Sequence, residues 1–308
     1  MITPPWLKSG DTVAIVAPAS YVKAEELTQF LAILDTWGLK ATLGKNLYRR
    51  KNSFAGNDDQ RASDFQQMLD DPSVKAILCA RGGYGSIRIV DKLDFSRFNE
   101  NPKWIIGCSD ITVLHTLIQK TLNTESLHAI MPRHIKAGKK DLSSLESLKK
   151  ALFGNLDSYS VKPARQNRIG EASGILVGGN LSVLYSMRGT KLDIDTSGKI
   201  LFIEDVSEYL YHVDRMIMNF KTGGKLKNLK GLIVGGMSGM KVSVSGFRKT
   251  AIDVIYEAVE KYDFPLMFGF PAGHIRPNMA MIMGREVTMH VSPDECKLLF
   301  KGTKPERS

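Results

Sequence analysis

The stretch Lys103-Trp104-Ile105-Ile106-Gly107-Cys108-Ser109-Asp110-Ile111-Thr112-Val113-Leu114-His115 joins two different periodicities. Residues 103–107 read as a buried strand, the spacing from 110 onward is that of an amphipathic helix, and a three-residue corner separates them. A strand that turns sharply into a helix is the building unit of a parallel sheet. It also lifts the corner side chain clear of the backbone at the carboxyl end of the strand. That residue is Ser109, and the N–H groups of a helix start beside it would stabilise a developing oxyanion. Two readings of Ser109 follow from this segment alone: a nucleophile, or an ordinary N-cap accepting a bond from the first helical turn. The G-x-S-x-G elbow is incomplete, because Ile111 occupies the place of its second glycine.

Outward from this corner, strands near 12–17, 39–43, 74–80 and 103–107 alternate with helices near 23–37, 58–70, 85–92 and 110–121. The alternation predicts an α/β, Rossmann-like N-terminal domain with a parallel sheet. In such sheets the ligand crevice lies beyond the carboxyl ends of the strands. Pro18-Ala19-Ser20, Arg81-Gly82-Gly83-Tyr84-Gly85 and Cys108-Ser109-Asp110 all fall there. A polar, aperiodic connection over about 151–170 places a boundary between domains 1–155 and 170–308. The second half restarts at Gly174, with a helix to about 188, strands at 199–203 and 231–234, and helices near 209–220 and 247–260. Three closely spaced strands near 280–283, 286–291 and 296–300 end it. This domain should be mixed α/β with an antiparallel or barrel-like sheet.

With 308 residues and 43% hydrophobic content the chain can bury a large core. No apolar run approaches the roughly 20 residues of a membrane helix. The stretch Thr12 to Ala19 has no basic segment before it and reads as the first buried strand, so a cytoplasmic protein without membrane association is expected. Cys79, Cys108 and Cys296 are far apart and lack metal-ligand spacing, so neither a disulfide framework nor a metal site is expected. The formal charge of +10 is spread over lysines such as those in 136–140 and from Lys221 to Lys230. With no basic stripe interleaved with aromatics, nucleic acid is not expected as a partner.

Arg81-Gly82-Gly83-Tyr84-Gly85-Ser86 follows a strand, yet it fits neither the dinucleotide fingerprint nor a P-loop. Adjacent glycines at a strand end allow a ligand to approach backbone N–H groups, as the second half of an oxyanion hole would require; a tight turn needing positive φ is the alternative. Of six histidines, His115, His128, His134, His212 and His290 have structural explanations in helices, strands or a loop. His274 sits in Pro271-Ala272-Gly273-His274-Ile275-Arg276-Pro277-Asn278, where proline and glycine would hold an imidazole in a defined place. Glu204 follows an apolar strand directly, so its carboxylate should be partly buried and paired, whereas Asp205, Ser207 and Glu208 read as ordinary helix-start residues.

Taken together, Val16-Ala17-Pro18-Ala19-Ser20, Arg81 to Gly85, Gly107 to Thr112, Glu204 to Tyr211, Asp214-Arg215-Met216 and Gly273-His274 with Asn278 and Gly284 resemble the LD-carboxypeptidases, a serine peptidase family. The resemblance covers essentially the whole chain. It implies Ser109 as nucleophile, Glu204 and His274 as relay partners, and the backbone N–H groups of Gly83 and Asp110 as oxyanion donors. It also implies a cytoplasmic homodimer that needs no cofactor or metal and releases the terminal D-alanine from murein tetrapeptides during cell-wall recycling. A related branch cleaves a peptide–nucleotide antibiotic instead. Three departures bear on substrate preference: Cys108 replaces a frequent aromatic, Ser207 replaces a frequent glycine, and Ile275-Arg276-Pro277 is an uncommon filling after the histidine. On position alone, Arg81 is the first candidate to bind the substrate's terminal carboxylate and Arg276 the second. Two other classes remain open: an amidotransferase-like hydrolase using Cys108, and a binding protein for a phosphorylated ligand using the glycine-rich loop.

Overall fold

In the computed structural model, which describes residues 1–135, 141–242 and 249–302, the chain forms two compact units. The lysine-rich 136–140 segment and the first two residues of the helix expected from 247 lie outside the described residues.

The first unit comprises Met1–Leu156 with the later segment Met279–Ile282. Its strands are β1 (Thr12–Val16), β2 (Lys40–Leu43), β3 (Val74–Cys79), β4 (Trp104–Gly107) and β5 (Ser126–His128), and its helices α1 (Thr28–Thr36), α2 (Asp58–Asp70), α3 (Thr112–Leu122) and α4 (Leu142–Phe153). All four pairings among β1 to β5 are parallel. Reading across the sheet, the order is β5-β4-β3-β1-β2, with a short strand, β11 (Met281–Met283), outside β5. β1, β3 and β4 are almost wholly buried, as expected for strands covered on both faces. Trp104, fully buried, stacks on Trp6 with ring centroids 5.2 Å apart, and its indole donates to the Pro5 carbonyl. The chain leaves β1 toward β2 and then returns to the other side of β1 as β3. That reversal places the loops after β1 and β3 at the switch point of the sheet.

The helix expected over 85–92 is instead two 3-10 turns, Ser86–Arg88 and Val90–Lys92. Gly85, at φ +140°, cannot start an α-helix, and Leu93 returns to extended backbone, which leaves room only for short turns.

In the second unit, β6 (Ser158–Val161), β7 (Gly170–Asn180), β8 (Ile200–Val206), β9 (Gly231–Ser238), β10 (Leu266–Phe268), β12 (Glu286–Val291) and β13 (Cys296–Phe300) form a seven-stranded mixed sheet ordered β10-β9-β8-β7-β12-β13-β6. β7 to β10 are parallel, and β7, β12, β13 and β6 are antiparallel. An isolated antiparallel bridge joins Arg168, just ahead of β7, to Leu266 of the edge strand β10. Helices α5 (Leu181–Ser186), α6 (Leu210–Thr222) and α7 (Ala251–Val259) complete the unit. β6 lies inside the stretch read from sequence as an aperiodic connection; its four residues pair with β13, a partner more than a hundred residues away.

β8 runs three residues past the expected strand and carries a register shift between Ile203 and Asp205. Immediately beyond it Ser207 adopts φ +61° and donates its N–H to the Ser238 carbonyl. A left-handed conformation costs a non-glycine residue about 1–2 kcal/mol, part of which glycine returns through its freer unfolded chain. Ser207→Gly is therefore expected to stabilise the protein by about 0.5–1 kcal/mol, read as a higher urea midpoint. A lower midpoint would show that the serine hydroxyl contributes more than the strain removes.

Candidate active site

At the end of β4 the chain turns through Cys108 into a 3-10 turn, Ser109–Ile111, that runs on as α3. Ser109 has φ +62°, in the left-handed region that L-residues other than Asn and Asp rarely occupy. Such strain, of order 1–3 kcal/mol, persists only where the surroundings impose it, and it recurs at catalytic corners. The cap positions of these two turns are Cys108 and Ile111, and neither supplies a side-chain cap, so Ser109 does not act as the N-cap that one reading of the sequence allowed. The side chain is half-buried, between the fully buried Cys108 and the buried Asp110.

The glycine-rich loop lies against this corner. A Cβ placed on Gly82 would sit 2.9 Å from the Ser109 Cβ and 3.2 Å from its Oγ, so only glycine leaves the hydroxyl its space. Gly83, at φ +104°, is exposed, and a Cβ there would collide with Ser20 Oγ at 2.2 Å, which shows how closely the loops after β1 and β3 approach. The Asp110 carboxylate accepts a 2.7 Å bond from the Ser86 N–H and ties the corner to the far end of the glycine loop; burial pushes its pKa up, against that bond. Buried Arg61 secures the same loops from below, donating to the carbonyls of Pro18 and Gly85 and pairing with Asp58. Arg81 is half-buried, donates to the Tyr21 carbonyl at 3.0 Å and lies 5.7 Å from the Tyr21 ring centroid.

The second unit, taken by itself, holds an imidazole against a carboxylate. Glu204 is fully buried, at the β8 register shift that re-aims its side chain, and its Oε2 accepts from both His274 Nδ1 (2.7 Å) and the His274 backbone N–H (3.1 Å). This approach depends on Gly273, at φ +100°: a Cβ there would lie 2.6 Å from Glu204 Oε2. Asn278 Oδ1 accepts the Gly273 N–H and Ser238 Oγ donates to the His274 carbonyl, so the loop is pinned from two sides. With the Nδ1 proton directed at Glu204, Nε2 is left as the site of proton exchange. Burial opposes charge on the ring, but the hydrogen bond and charge of Glu204, with the charge of Asp205, outweigh it and hold the His274 pKa above its ordinary 6.5. Arg276 is exposed on the same loop.

Asp205 and Asn180 complete this arrangement. Asn180 Nδ2 donates to Glu204 Oε1 (3.3 Å) and Asp205 Oδ1 (3.0 Å), and Asp205 also accepts the N–H groups of Val206 and Ser182. Burial, reinforced by the neighbouring Glu204 charge, raises the Asp205 pKa to about 6 despite those bonds. Asp205 is thus a buried strand residue rather than the helix-start residue its sequence suggests. Neither it nor Asn180 stood out, because their partners lie some 24 residues apart in the chain. The helix that follows starts only at Leu210, and Glu208 pairs with His212 at 2.6 Å. Among the described residues no three His, Cys, Asp or Glu side chains are grouped to hold a metal ion. Among the described residues no helix is long and apolar enough to cross a membrane.

Comparison with known proteins gives two family matches: the LD-carboxypeptidase N-terminal domain over residues 13–129 and the LD-carboxypeptidase C-terminal domain over residues 173–289. A Bacillus subtilis protein named as a probable murein peptide carboxypeptidase is 37% identical over 294 residues, 94% of this chain and 92% of its own. The crystal structure of muramoyltetrapeptide carboxypeptidase from Oxalobacter formigenes superposes with a TM-score of 0.86 at 26% identity, covering 96% of this chain and all of that one. MccF in complex with glutamyl sulfamoyl guanosine superposes with a TM-score of 0.85 over 97% of this chain and 98% of its own, but at 19% identity, which shows a shared fold alone.

Proposed function

This chain belongs to the LD-carboxypeptidase family, and from that premise we propose that it is a serine carboxypeptidase releasing the terminal D-alanine of murein tetrapeptides. The observation that carries the reading is the Glu204–His274 pair, a base gripped by its orienting acid through two hydrogen bonds with one ring nitrogen left for proton exchange. The strained Ser109 corner beside the glycine loop supports it from the first unit.

In this mechanism Ser109 Oγ attacks the carbonyl carbon of the penultimate residue while His274 Nε2 takes the hydroxyl proton. The tetrahedral oxyanion is met by the N–H groups of Gly83 and Asp110. Collapse breaks the C–N bond, and His274 returns the proton to the departing amine of D-alanine. A water molecule, deprotonated by His274, then attacks the acyl-serine ester; as the C–O bond breaks His274 returns that proton to Ser109 Oγ, freeing the shortened peptide and the resting enzyme. Arg81, half-buried at the end of β3 and bonded to no carboxylate among the described residues, is the cation proposed for the terminal carboxylate, with Arg276 second. Work in the cytoplasm as a homodimer, on small murein fragments, completes the reading as the family resemblance implies.

The test is to incubate the purified protein with a murein tetrapeptide, with the same peptide ending in L-alanine, and with an aminoacyl sulfamoyl nucleoside, and to assay the released amino acid. Release of D-alanine from the first alone is expected; turnover of the nucleoside conjugate alone would overturn the murein reading. Cys108 is fully buried, so Cys108→Ser places a hydroxyl where a thiol was packed; activity is expected to stay within about tenfold of wild type, the loss being the cost of burying that hydroxyl. Loss of activity together with loss of thiol alkylation would favour the amidotransferase-like alternative.

A further inference from the structure

His115 has no part in the proton relay, yet its ring reaches back from α3 to the strand that ends in the nucleophile corner. Its Nε2 lies 2.9 Å from the Gly107 carbonyl oxygen and its Nδ1 2.9 Å from Ser126 Oγ on β5, and the residue is completely buried. A carbonyl can only accept, so Nε2 carries the proton, and Nδ1 accepts from the Ser126 hydroxyl. Gly107 is the last residue of β4, two before Ser109, and its carbonyl also accepts the Ala129 N–H at 3.1 Å. A side chain there would force Ile111 to shift, since a Cβ on Gly107 would lie 2.8 Å from the Ile111 side chain. Burial, with the nearby His128 ring, presses the His115 pKa down to about 3, against the bond to Gly107, so the ring stays neutral across the working range.

We propose that His115 is a positioning residue for the nucleophile: by fastening the Gly107 carbonyl to β5 through a neutral imidazole, it imposes the left-handed conformation of Ser109. A residue at φ +62° relaxes unless its neighbours over-determine it, and the two donors on Gly107 fix the chain immediately ahead of the turn. A displacement of the hydroxyl by even 1 Å would cost about 10²-fold in rate. This inference rests on the reading of Ser109 as nucleophile.

The experiment compares His115→Leu, His115→Gln and Ser126→Ala in kcat, KM, thermal midpoint and rate of covalent labelling by a fluorophosphonate, all at a temperature where each variant is folded. His115→Leu is expected to lower kcat and the labelling rate together by about 10- to 100-fold with KM unchanged. His115→Gln, which keeps one donor and one acceptor, is expected to restore most of both. Wild-type kcat and labelling in a folded His115→Leu would overturn the proposal, as would equal losses in the Leu and Gln variants that follow stability alone. If His115→Leu does not fold, Ser126→Ala decides: a severalfold slower labelling supports the proposal, and an unchanged rate overturns it. Ser109→Ala run alongside separates the two claims. Turnover surviving in Ser109→Ala would discard the nucleophile, whereas an inactive Ser109→Ala beside a fully active His115→Leu would discard only the positioning role.

Discussion

Ser109→Ala is expected to lower kcat on the tetrapeptide by about 3 to 6 orders of magnitude while leaving substrate binding within a few-fold of wild type. Alanine keeps the Cβ and therefore the same backbone preference, so the corner at φ +62° and its contact with Gly82 should survive the change. What disappears is the one atom able to form the acyl bond. Residual rate would come from the oxyanion donors and from substrate placement alone. Because the serine and the histidine act as one unit, Ser109→Ala/His274→Ala should be about as slow as either single variant rather than slower by the product of their effects. Tetrapeptide hydrolysis by Ser109→Ala within tenfold of wild type would contradict the scheme.

Glu204→Gln is expected to cost about 10⁴ in kcat. The amide occupies nearly the same volume, but it carries no charge and can donate where the carboxylate only accepts, so it no longer selects the Nδ1–H tautomer that leaves Nε2 free to take a proton. A pH signature accompanies the loss. His274 works as a base in its neutral form, so activity falls as pH drops through its pKa, which lies above 6.5 in the wild type because Glu204 outweighs the burial of the ring. Removing the Glu204 charge leaves burial opposed mainly by Asp205, so the acidic limb of the kcat/KM profile should move to lower pH in the variant. An unchanged limb would mean that another group titrates there.

The alternation of periods 2 and 3.6 in the first half was legible for β1 to β4, α2 and α3, each defined by its own residues, but not over 85–92, where the backbone of Gly85 and Leu93 leaves only two 3-10 turns. The corner at Ser109 was legible for the same reason: an apolar strand, a polar corner and an apolar helix are contiguous in the chain. Glu204 and His274 could be singled out by local context, the first by its apolar strand and the second by its Pro and Gly neighbours. Asp205 could not. The run Glu204-Asp205-Val206-Ser207-Glu208 has the composition of a helix start, and what keeps residues 204–206 in the sheet is pairing with β7 and β9. His115 sits at an apolar position of an amphipathic helix and reads as core. Its use depends on Gly107 and Ser126 reaching it from two separate strands. Arg61 was missed on the same grounds, since a charged residue on a polar helix signals nothing until Pro18 and Gly85 fold over it.

Activation of one serine by one histidine is read directly by fluorophosphonate labelling followed by peptide mass spectrometry. A single adduct on Ser109, formed at a rate that rises with pH through the His274 pKa and collapses in His274→Ala, is the predicted result. An unmodified Ser109, or a labelling rate indifferent to the loss of His274, would contradict it.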